Sequence, residues 1–202
     1  MNNDAPSYHG YRFPPEIINH AIWLYHRFCL SSRDVEDLLA ERGIQVSYET
    51  IRQWCRKFGP EYARRLKRRQ GRLGDTWDLD ELFVSIRGQQ RYLWRAVDQD
   101  GDVIDILLQP RRDRRAAERF FRRLLKGQGR EPRRLVTDKL RSYAAAKRAM
   151  RRFKSMAQAQ RFLSVHGITQ NLFRVGRHLL RAANYRILRA RAFVVWNAET
   201  CA

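Results

Sequence analysis

The chain has 202 residues, 44% of them hydrophobic, which is enough for one domain or two small ones and too apolar for wholesale disorder. Lysine and arginine number 41 against 21 aspartate and glutamate, giving a formal net charge of +20. This excess is the electrostatic footprint of a nucleic-acid binder, although a ribosomal type of protein or a membrane-surface binder would share it.

The cysteines and the apolar runs indicate the compartment. Cys29, Cys55 and Cys201 form no CxxC pair and are odd in number, which favours a reducing environment. Residues 1–10 are polar, and no apolar run approaches the roughly 20 residues of a membrane span. We therefore expect no leader peptide, no membrane association and a cytoplasmic, nucleoid-associated protein.

The first 70 residues show helical periodicity of their apolar residues. Helices are predicted over residues 16–30, 32–42 and 47–58. Ser31 and Asp34 form a capping-box pattern before the second helix, whose predicted buried residues are Val35, Leu38 and Leu39. The Gly59-Pro60 dipeptide is expected to end the third helix.

A short helix, a tight turn and a further helix form the helix-turn-helix arrangement, whose last helix enters the major groove of DNA. The outward residues of the third helix would then contact DNA, and the basic run after it would contact phosphate. The predicted DNA-binding residues are Tyr48, Thr50, Arg52, Gln53, Arg56, Arg64 and Arg65. The alternative is an ordinary solvated helix followed by a solvated linker.

From Thr76 onward the pattern is that of strands. Strands are predicted over residues 77–86, 91–97, 103–108 and 133–138, with a four-residue turn at 87–90. A helix capped by Asp113 and ended by Gly127 precedes the fourth strand, and another helix is expected over 142–148. Residues 151–191 are predicted to form basic helices.

The order of these elements predicts the fold class. A strand reached through a helical crossover lies parallel to a strand of the same sheet, which here would place Asp138 beside Asp80. The expected fold is an α/β ribonuclease-H-like (integrase-type) core preceded by an all-α helix-turn-helix domain. The predicted division is residues 1–70, 71–150 and 151–202.

Asp80 and Asp138 are strand-borne carboxylates in a strongly basic chain, a pattern that favours a Mg²⁺ site acting on a polyanion. Two-metal phosphoryl transfer normally needs a third carboxylate, and after Asp138 the only acidic residue is Glu199. Glu199 falls in an expected frayed tail. Glu81 should point to the opposite face of its strand, and Glu118 should form a surface ion pair, so neither is expected to be a ligand.

Several motifs occur in order along the chain. They are Trp77-Asp78-Leu79-Asp80-Glu81, residues 91–98, 102–105 and 119–121, and Thr137-Asp138-Lys139, with further matches at residues 11–16, 31–36, 48–51 and 152–155. Together they resemble a DDE transposase, and more closely the insertion-sequence-six family of bacterial mobile elements. The resemblance covers nearly the whole chain.

The resemblance implies that Asp80 and Asp138 are the first two catalytic carboxylates, holding two Mg²⁺ ions. It also implies a homo-oligomer that acts on double-stranded DNA, namely the terminal inverted repeats of the element and target DNA. Two departures stand out. Asp78 replaces a histidine usual in the family, and the segment with the third catalytic glutamate is missing between Met150 and Arg151.

The resemblance therefore implies DNA cleavage and strand transfer by the family, with a defect in this copy. Two alternatives stay open. One is a remnant that only binds DNA and interferes with intact copies. The other is a helix-turn-helix regulator whose C-terminal part only dimerises.

Overall fold

The computed structural model describes residues 6–71, 73–137, 153–175 and 180–201. Its elements are α1 (Pro15–Arg27), α2 (Ser32–Ala40), α3 (Tyr48–Arg69), β1 (Thr76–Ile86), β2 (Gln89–Asp98), β3 (Val103–Gln109), α4 (Arg114–Gln128), β4 (Arg134–Thr137), α5 (Met156–Phe173) and α6 (Ala182–Thr200). The chain forms two compact units, residues 1–69 with 168–202 and residues 70–167. The helix predicted over 142–148 lies outside the described residues.

The start of α2 follows the predicted capping box. The Ser31 side chain accepts from the Asp34 backbone N–H at 3.1 Å, and the Asp34 carboxylate accepts from the Ser31 N–H at 2.7 Å. At the start of α3, the Glu36 carboxylate accepts from the Tyr48 N–H at 3.0 Å. These bonds satisfy N–H groups that have no partner within their own helix.

Helix α3 continues for 22 residues, through Pro60, to Arg69, so the prediction that it ends at Gly59-Pro60 is wrong. The residue before a proline avoids the helical region partly because its Cβ meets the proline ring, and Gly59 has no Cβ. Beyond the proline, Tyr62 and Leu66 are buried. Burial of these two side chains stabilises the part of α3 that follows Pro60, although the local sequence disfavours a helix there.

Pro60→Ala is expected to stabilise the first unit. An interior proline costs a helix about 3 kcal/mol, while losing its restriction of the unfolded chain costs about 1 kcal/mol, so a net gain of roughly 2 kcal/mol is expected. Urea denaturation followed by circular dichroism measures the change. The matched control is Pro14→Ala, which replaces the residue before α1 and removes no bond from the helix interior. A lower stability for Pro60→Ala than for the parent chain would contradict the expectation.

The core of the first unit joins all of its helices. Residues buried together in it are Ile18, Ile22, Val35, Leu39, Ile51, Trp54, Phe58, Tyr62, Phe173 and Trp196. Leu38, predicted to be buried, is 44% exposed, because Val35 and Leu39 already supply the inward side of α2. Trp196 of α6 contacts Tyr62 of α3 and Phe173 of α5, with ring centroids at 5.7 and 6.1 Å.

The second unit contains the predicted sheet. Its strand order is β3-β2-β1-β4, with β1 and β2 antiparallel, β2 and β3 antiparallel, and β4 parallel to β1. Three antiparallel strands followed by a helical crossover to a parallel strand is the topology expected from the sequence. The mixed α/β class, with a helical N-terminal part ahead of a ribonuclease-H-like sheet, is confirmed.

Helix α4 covers one face of this sheet. Its N-cap is Asp113, as predicted, which accepts from the Ala116 N–H at 2.8 Å. It ends two residues later than expected, because its C-cap is Gly129, whose φ of 63° is the left-handed conformation that glycine adopts easily. The residues that it buries against the sheet include Phe120 and Leu124, packed with Trp77, Leu79, Ala96 and Ile104.

The C-terminal part is divided differently from the predicted 151–202 segment. Residues 153–167 belong to the second unit, while residues from Ile168 onward pack with the N-terminal helices. The predicted boundary after residue 70 lies next to the observed one after Arg69. Within the described ranges, no helix is both long enough and apolar enough to span a bilayer.

Candidate functional site

Asp80 lies in the middle of β1 and is buried, at 7% exposure. Leu79, the residue before it, packs with Phe120 and Leu124 of α4. Since neighbouring side chains of a strand point to opposite faces, Asp80 lies on the other face. That face is covered at β3 by α5, where a Cβ on Gly167 would come within 3.3 Å of the Ile106 Cδ1 atom.

The partner of Asp80 is Arg95, directly opposite on β2. The Arg95 Nε atom donates to Asp80 Oδ1 at 3.0 Å, and Arg95 Nη2 donates to Asp80 Oδ2. Both side chains are almost fully buried, with exposed fractions of 6% for Arg95 and 3% for Asp80. The two-pronged geometry engages both carboxylate oxygens, which is the strong form of this interaction.

Arg95 is a site residue that the sequence prediction missed. The prediction placed a four-residue turn at 87–90, whereas Arg87 and Gly88 alone form the turn, with φ of 51° and 76°. A two-residue turn of this kind fixes the register, because Ile86 pairs with Gln89 and counting back from it pairs Asp80 with Arg95. Identifying the Arg-Gly dipeptide as the turn would have found the pair.

Asp138, the second predicted carboxylate, lies outside the described residues. The described part of β4 ends at Thr137, which pairs in parallel with Leu79. Thr137 and Leu79 immediately precede Asp138 and Asp80 in the sequence. The described structure therefore aligns the residues before the two aspartates.

Three other acids of the second unit, Glu81, Asp98 and Glu118, have partners of their own. Glu81 lies on the opposite face, as predicted, and binds Arg112 at 2.8 Å. Glu118 forms the expected surface pair, with Arg114 at 2.8 Å. Asp98, buried at 2%, uses its carboxylate to order the loop after β2. It accepts from the backbone N–H groups of Gly74, Asp100 and Asp102.

Glu199 does not lie in a frayed tail, so that prediction is wrong. It is part of α6, and its side chain is only 15% exposed. Its carboxylate accepts from Arg69 at 2.8 Å and from Arg65 at 3.4 Å, both on α3. The order comes from contacts about 130 residues away in the chain, which local sequence near a terminus does not reveal.

The surroundings of Asp80 bear on whether it could hold a metal ion. The two Asp80 oxygens that a divalent ion would use are those bound by Arg95. Over the ranges the structure describes, no group of three histidine, cysteine, aspartate or glutamate side chains comes together as a set of ligands. As arranged, the described residues do not fit a divalent ion.

The predicted DNA-facing residues of α3 are largely on its surface. Arg52, Gln53, Arg56 and Arg64 are exposed, and Thr50 is partly exposed. Glu49 holds Arg52 by two bonds, at 2.7 Å to Nε and 2.5 Å to Nη2, and accepts from the Gln53 amide at 3.3 Å. The hydrogen bond from Arg52 lowers the pKa of the Glu49 carboxyl, so the pair stays charged at neutral pH.

Tyr48 and Arg65, two more of the predicted DNA-binding residues, also have intramolecular partners. Tyr48 is 39% exposed, and the Arg33 guanidinium lies over its ring at 4.3 Å from the centroid. Arg65, by contrast, is only 13% exposed and is bound to Glu199. The exposed basic surface of α3 therefore comprises Arg52, Arg56, Lys57 and Arg64, continued by Lys67, Arg68 and Arg69.

The second unit matches a known protein family. Residues 74–149 match a family described as a DDE domain. This range includes β1 to β4, with both Asp80 and Arg95.

Curated proteins are similar over a longer stretch. A transposase for the insertion sequence-like element IS431mec of Staphylococcus aureus strain Mu50 is 34% identical over 127 residues, 63% of this chain and 56% of that protein. A transposase for the insertion sequence element IS257 in transposon Tn4003, also of Staphylococcus aureus, is 33% identical over the same lengths. The chain therefore spans a little over half of these relatives. The uncharacterized protein pYV0051 of Yersinia pseudotuberculosis is 37% identical over 73 residues, 35% of this chain and 68% of that protein.

Proposed function

We propose that this chain is a DDE transposase of an insertion sequence, a type of enzyme that cleaves DNA and transfers strands, and that it binds the terminal inverted repeats of its element but is defective in strand transfer. The exposed basic surface of α3 binds the DNA. Asp80 and Asp138 are the catalytic carboxylates. The observation that carries the proposal is a buried aspartate at the centre of β1 in a domain of the DDE family.

The electrostatics support DNA as the partner. A formal net charge of +20 supplies the sequence-independent attraction to phosphate. The start of α3 is held by Glu36 of α2, and Arg52 and Arg56 project from one side of it, as in a recognition helix. The two hydrogen bonds to Glu49 restrict the Arg52 side chain, which reduces the rotamer freedom that it would lose on binding DNA.

The double variant Arg52→Ala/Arg56→Ala is expected to weaken binding to a duplex carrying the terminal repeat by at least roughly tenfold. Two contacts of arginine with DNA are lost, so the slope of log affinity against log salt should also fall by up to about 2 if both contact phosphate. Gel-shift titrations at several salt concentrations measure both quantities.

Arg115→Ala/Arg122→Ala is the matched control, because it removes the same charge from exposed positions of α4 in the other unit. If both doubles weaken binding equally, net charge rather than α3 is responsible. Unchanged affinity for Arg52→Ala/Arg56→Ala at fixed salt would refute the assignment of α3.

The family generally uses divalent metal ions, and the resemblance gives Asp80 and Asp138 as the residues that would hold Mg²⁺ in this chain. Such ions would supply Lewis-acid chemistry at the scissile phosphate. Arg95 already binds both Asp80 oxygens, so the described arrangement does not suit a bound ion.

We expect the joining activity of this chain to be weak or absent. Beyond Asp138 the sequence offers Glu199 as its single acid. Glu199 belongs to the first unit, where Arg65 and Arg69 bind it. Losing one member of a catalytic set commonly costs orders of magnitude in rate. The chain would then be a remnant that binds element ends, as a homo-oligomer in the cytoplasm.

A strand-transfer assay with Mg²⁺ or Mn²⁺ on the terminal repeats tests this expectation. The chain should give little or no joined product while still shifting DNA in a gel. Robust joining that Asp80→Asn abolishes would contradict the expected defect, and Glu199→Gln would then show whether Glu199 supplies the third carboxylate. Asp105→Asn, which changes an acid on β3 bound to Arg123, is the matched control.

A further inference from the structure

We infer that the Arg95 guanidinium takes the place of a metal cation at the Asp80 carboxylate, and that a divalent ion binds Asp80 only after this guanidinium has moved away. The inference rests on the proposed function, which makes Asp80 a metal ligand. Arg95 is thus a positioning residue that sets when the carboxylate is available.

The first argument is stereochemical. The Arg95 fork donates Nε to one Asp80 oxygen and Nη2 to the other. An ion binding Asp80 in either a one-oxygen or a two-oxygen mode therefore approaches an oxygen that the guanidinium already contacts. The strand register places the two side chains together, because Asp80 and Arg95 are direct cross-strand partners within ten consecutive pairs of β1 and β2.

The second argument is electrostatic. Guanidinium stays protonated at any pH that a protein tolerates, so Arg95 cannot release Asp80 by losing its proton. A divalent cation beside a guanidinium meets strong like-charge repulsion where water is largely excluded, and these side chains are only 3% and 6% exposed. The two cations therefore compete for one carboxylate, and the guanidinium must move away for the ion to bind.

The third argument concerns position in the fold. Arg95 lies on β2 between Asp80 on β1 and Ile106 on β3, on the sheet face that α5 covers. Helix α5 is hydrogen-bonded to β3 there through the Gln160 side chain. Its amide nitrogen donates to the Ile106 carbonyl at 2.9 Å, and its amide oxygen accepts from the Leu108 N–H at 2.7 Å. Withdrawal of Arg95 from Asp80 thus takes place under a fixed helix, which makes the exchange costly and the metal affinity of the chain low.

Binding of Mn²⁺ to the full chain, counted by the electron paramagnetic resonance of the free ion, tests the inference. Arg95→Gln keeps the length of the side chain nearly the same and removes the charge. It should bind Mn²⁺ at least roughly tenfold more tightly than the parent chain, which corresponds to ~1.4 kcal/mol. The gain should disappear in Arg95→Gln/Asp80→Asn. Arg123→Gln, which removes the arginine that binds Asp105, should behave as the parent chain.

A second measurement guards against a variant that does not fold. Arg95→Lys keeps the positive charge but not the fork, so its Mn²⁺ affinity should lie between those of the parent chain and Arg95→Gln. If neither Arg95→Gln nor Arg95→Lys binds Mn²⁺ more tightly than the parent chain, or if neither folds even with Mn²⁺ present, Arg95 serves the fold alone and the inference is wrong.

Gel-shift binding to the terminal repeat separates this inference from the proposed function. A gain in Mn²⁺ affinity that depends on Asp80, in a chain that does not bind the terminal repeat, supports the exchange while counting against the proposed function. Binding of the terminal repeat by the parent chain without any gain in Mn²⁺ affinity in Arg95→Gln supports the proposed function and overturns the exchange.

Discussion

Replacing Asp80 by alanine is expected to lower the free energy of unfolding of the second unit by about 3–5 kcal/mol. The substitution leaves the Arg95 guanidinium buried without its carboxylate, and an uncompensated buried charge has a cost of this size. Urea denaturation followed by circular dichroism measures the loss. Such a change is a large part of the ~5–15 kcal/mol that stabilises a typical domain.

Two variants make the Asp80→Ala expectation specific. Asp105→Ala breaks the more exposed pair with Arg123 and should cost less than about 1 kcal/mol. Asp80→Leu/Arg95→Met replaces the ion pair by apolar side chains and should recover most of the stability lost in Asp80→Ala. Equal losses for Asp80→Ala and Asp105→Ala would show that burial of the pair has no energetic consequence.

This expectation affects how activity assays are interpreted. Alanine at position 80 removes a proposed catalytic carboxylate and destabilises the sheet at once, so a loss of joining has two causes. Asp80→Asn keeps the size of the side chain and one of the two acceptors toward Arg95, so it is the more informative variant, and its own free energy of unfolding is measured beside its activity. The DNA binding proposed for the first unit, which does not contain Asp80, reports whether the rest of the chain is folded.

Trp196→Ala is expected to cost about 3–5 kcal/mol and to loosen the N-terminal helices. Trp196 is 1% exposed and packs on Tyr62 and Phe173, so its removal leaves a large cavity. The effect should reach α3, because α6 contributes to the same core. Hydrogen exchange of the α3 amides, measured by mass spectrometry, should become faster.

Val194→Ala on the same helix is the control, since Val194 is 68% exposed and its change should stay within about 0.5 kcal/mol. If Trp196→Ala leaves α3 exchange unchanged, α6 folds independently of the N-terminal helices. That result would favour the division at residue 151 that the sequence suggests.

Local signals in the sequence predicted the elements well where local chemistry decides them. The capping box at Ser31 and Asp34 and the N-cap at Asp113 form as expected. The Gly59-Pro60 dipeptide gave a wrong helix end, because a helix-breaking signal carries no information about the burial of Tyr62 and Leu66 after it. Tertiary packing overrides propensity at that point.

The candidate site was predictable in part. The strand order places Asp80 at the centre of the sheet, and alternation of side chains correctly separates it from Glu81. Its partner Arg95 follows from the strand register. The predicted turn is two residues longer than the observed one and therefore gives the wrong register. The partners of Glu199 lie on α3, about 130 residues earlier, and no local pattern near the C-terminus points to them.

The buried pair of Asp80 and Arg95 has a consequence for how such sequences evolve. An aspartate that fixes an arginine inside a sheet is maintained by selection for a chain that folds, even in a copy that no longer joins DNA. A carboxylate that serves catalysis alone is not maintained in this way, and mutations at its position accumulate once the activity is no longer under selection. The presence of Asp80 in such a gene is therefore expected wherever selection maintains a folded product, and it does not by itself indicate that the product still joins DNA.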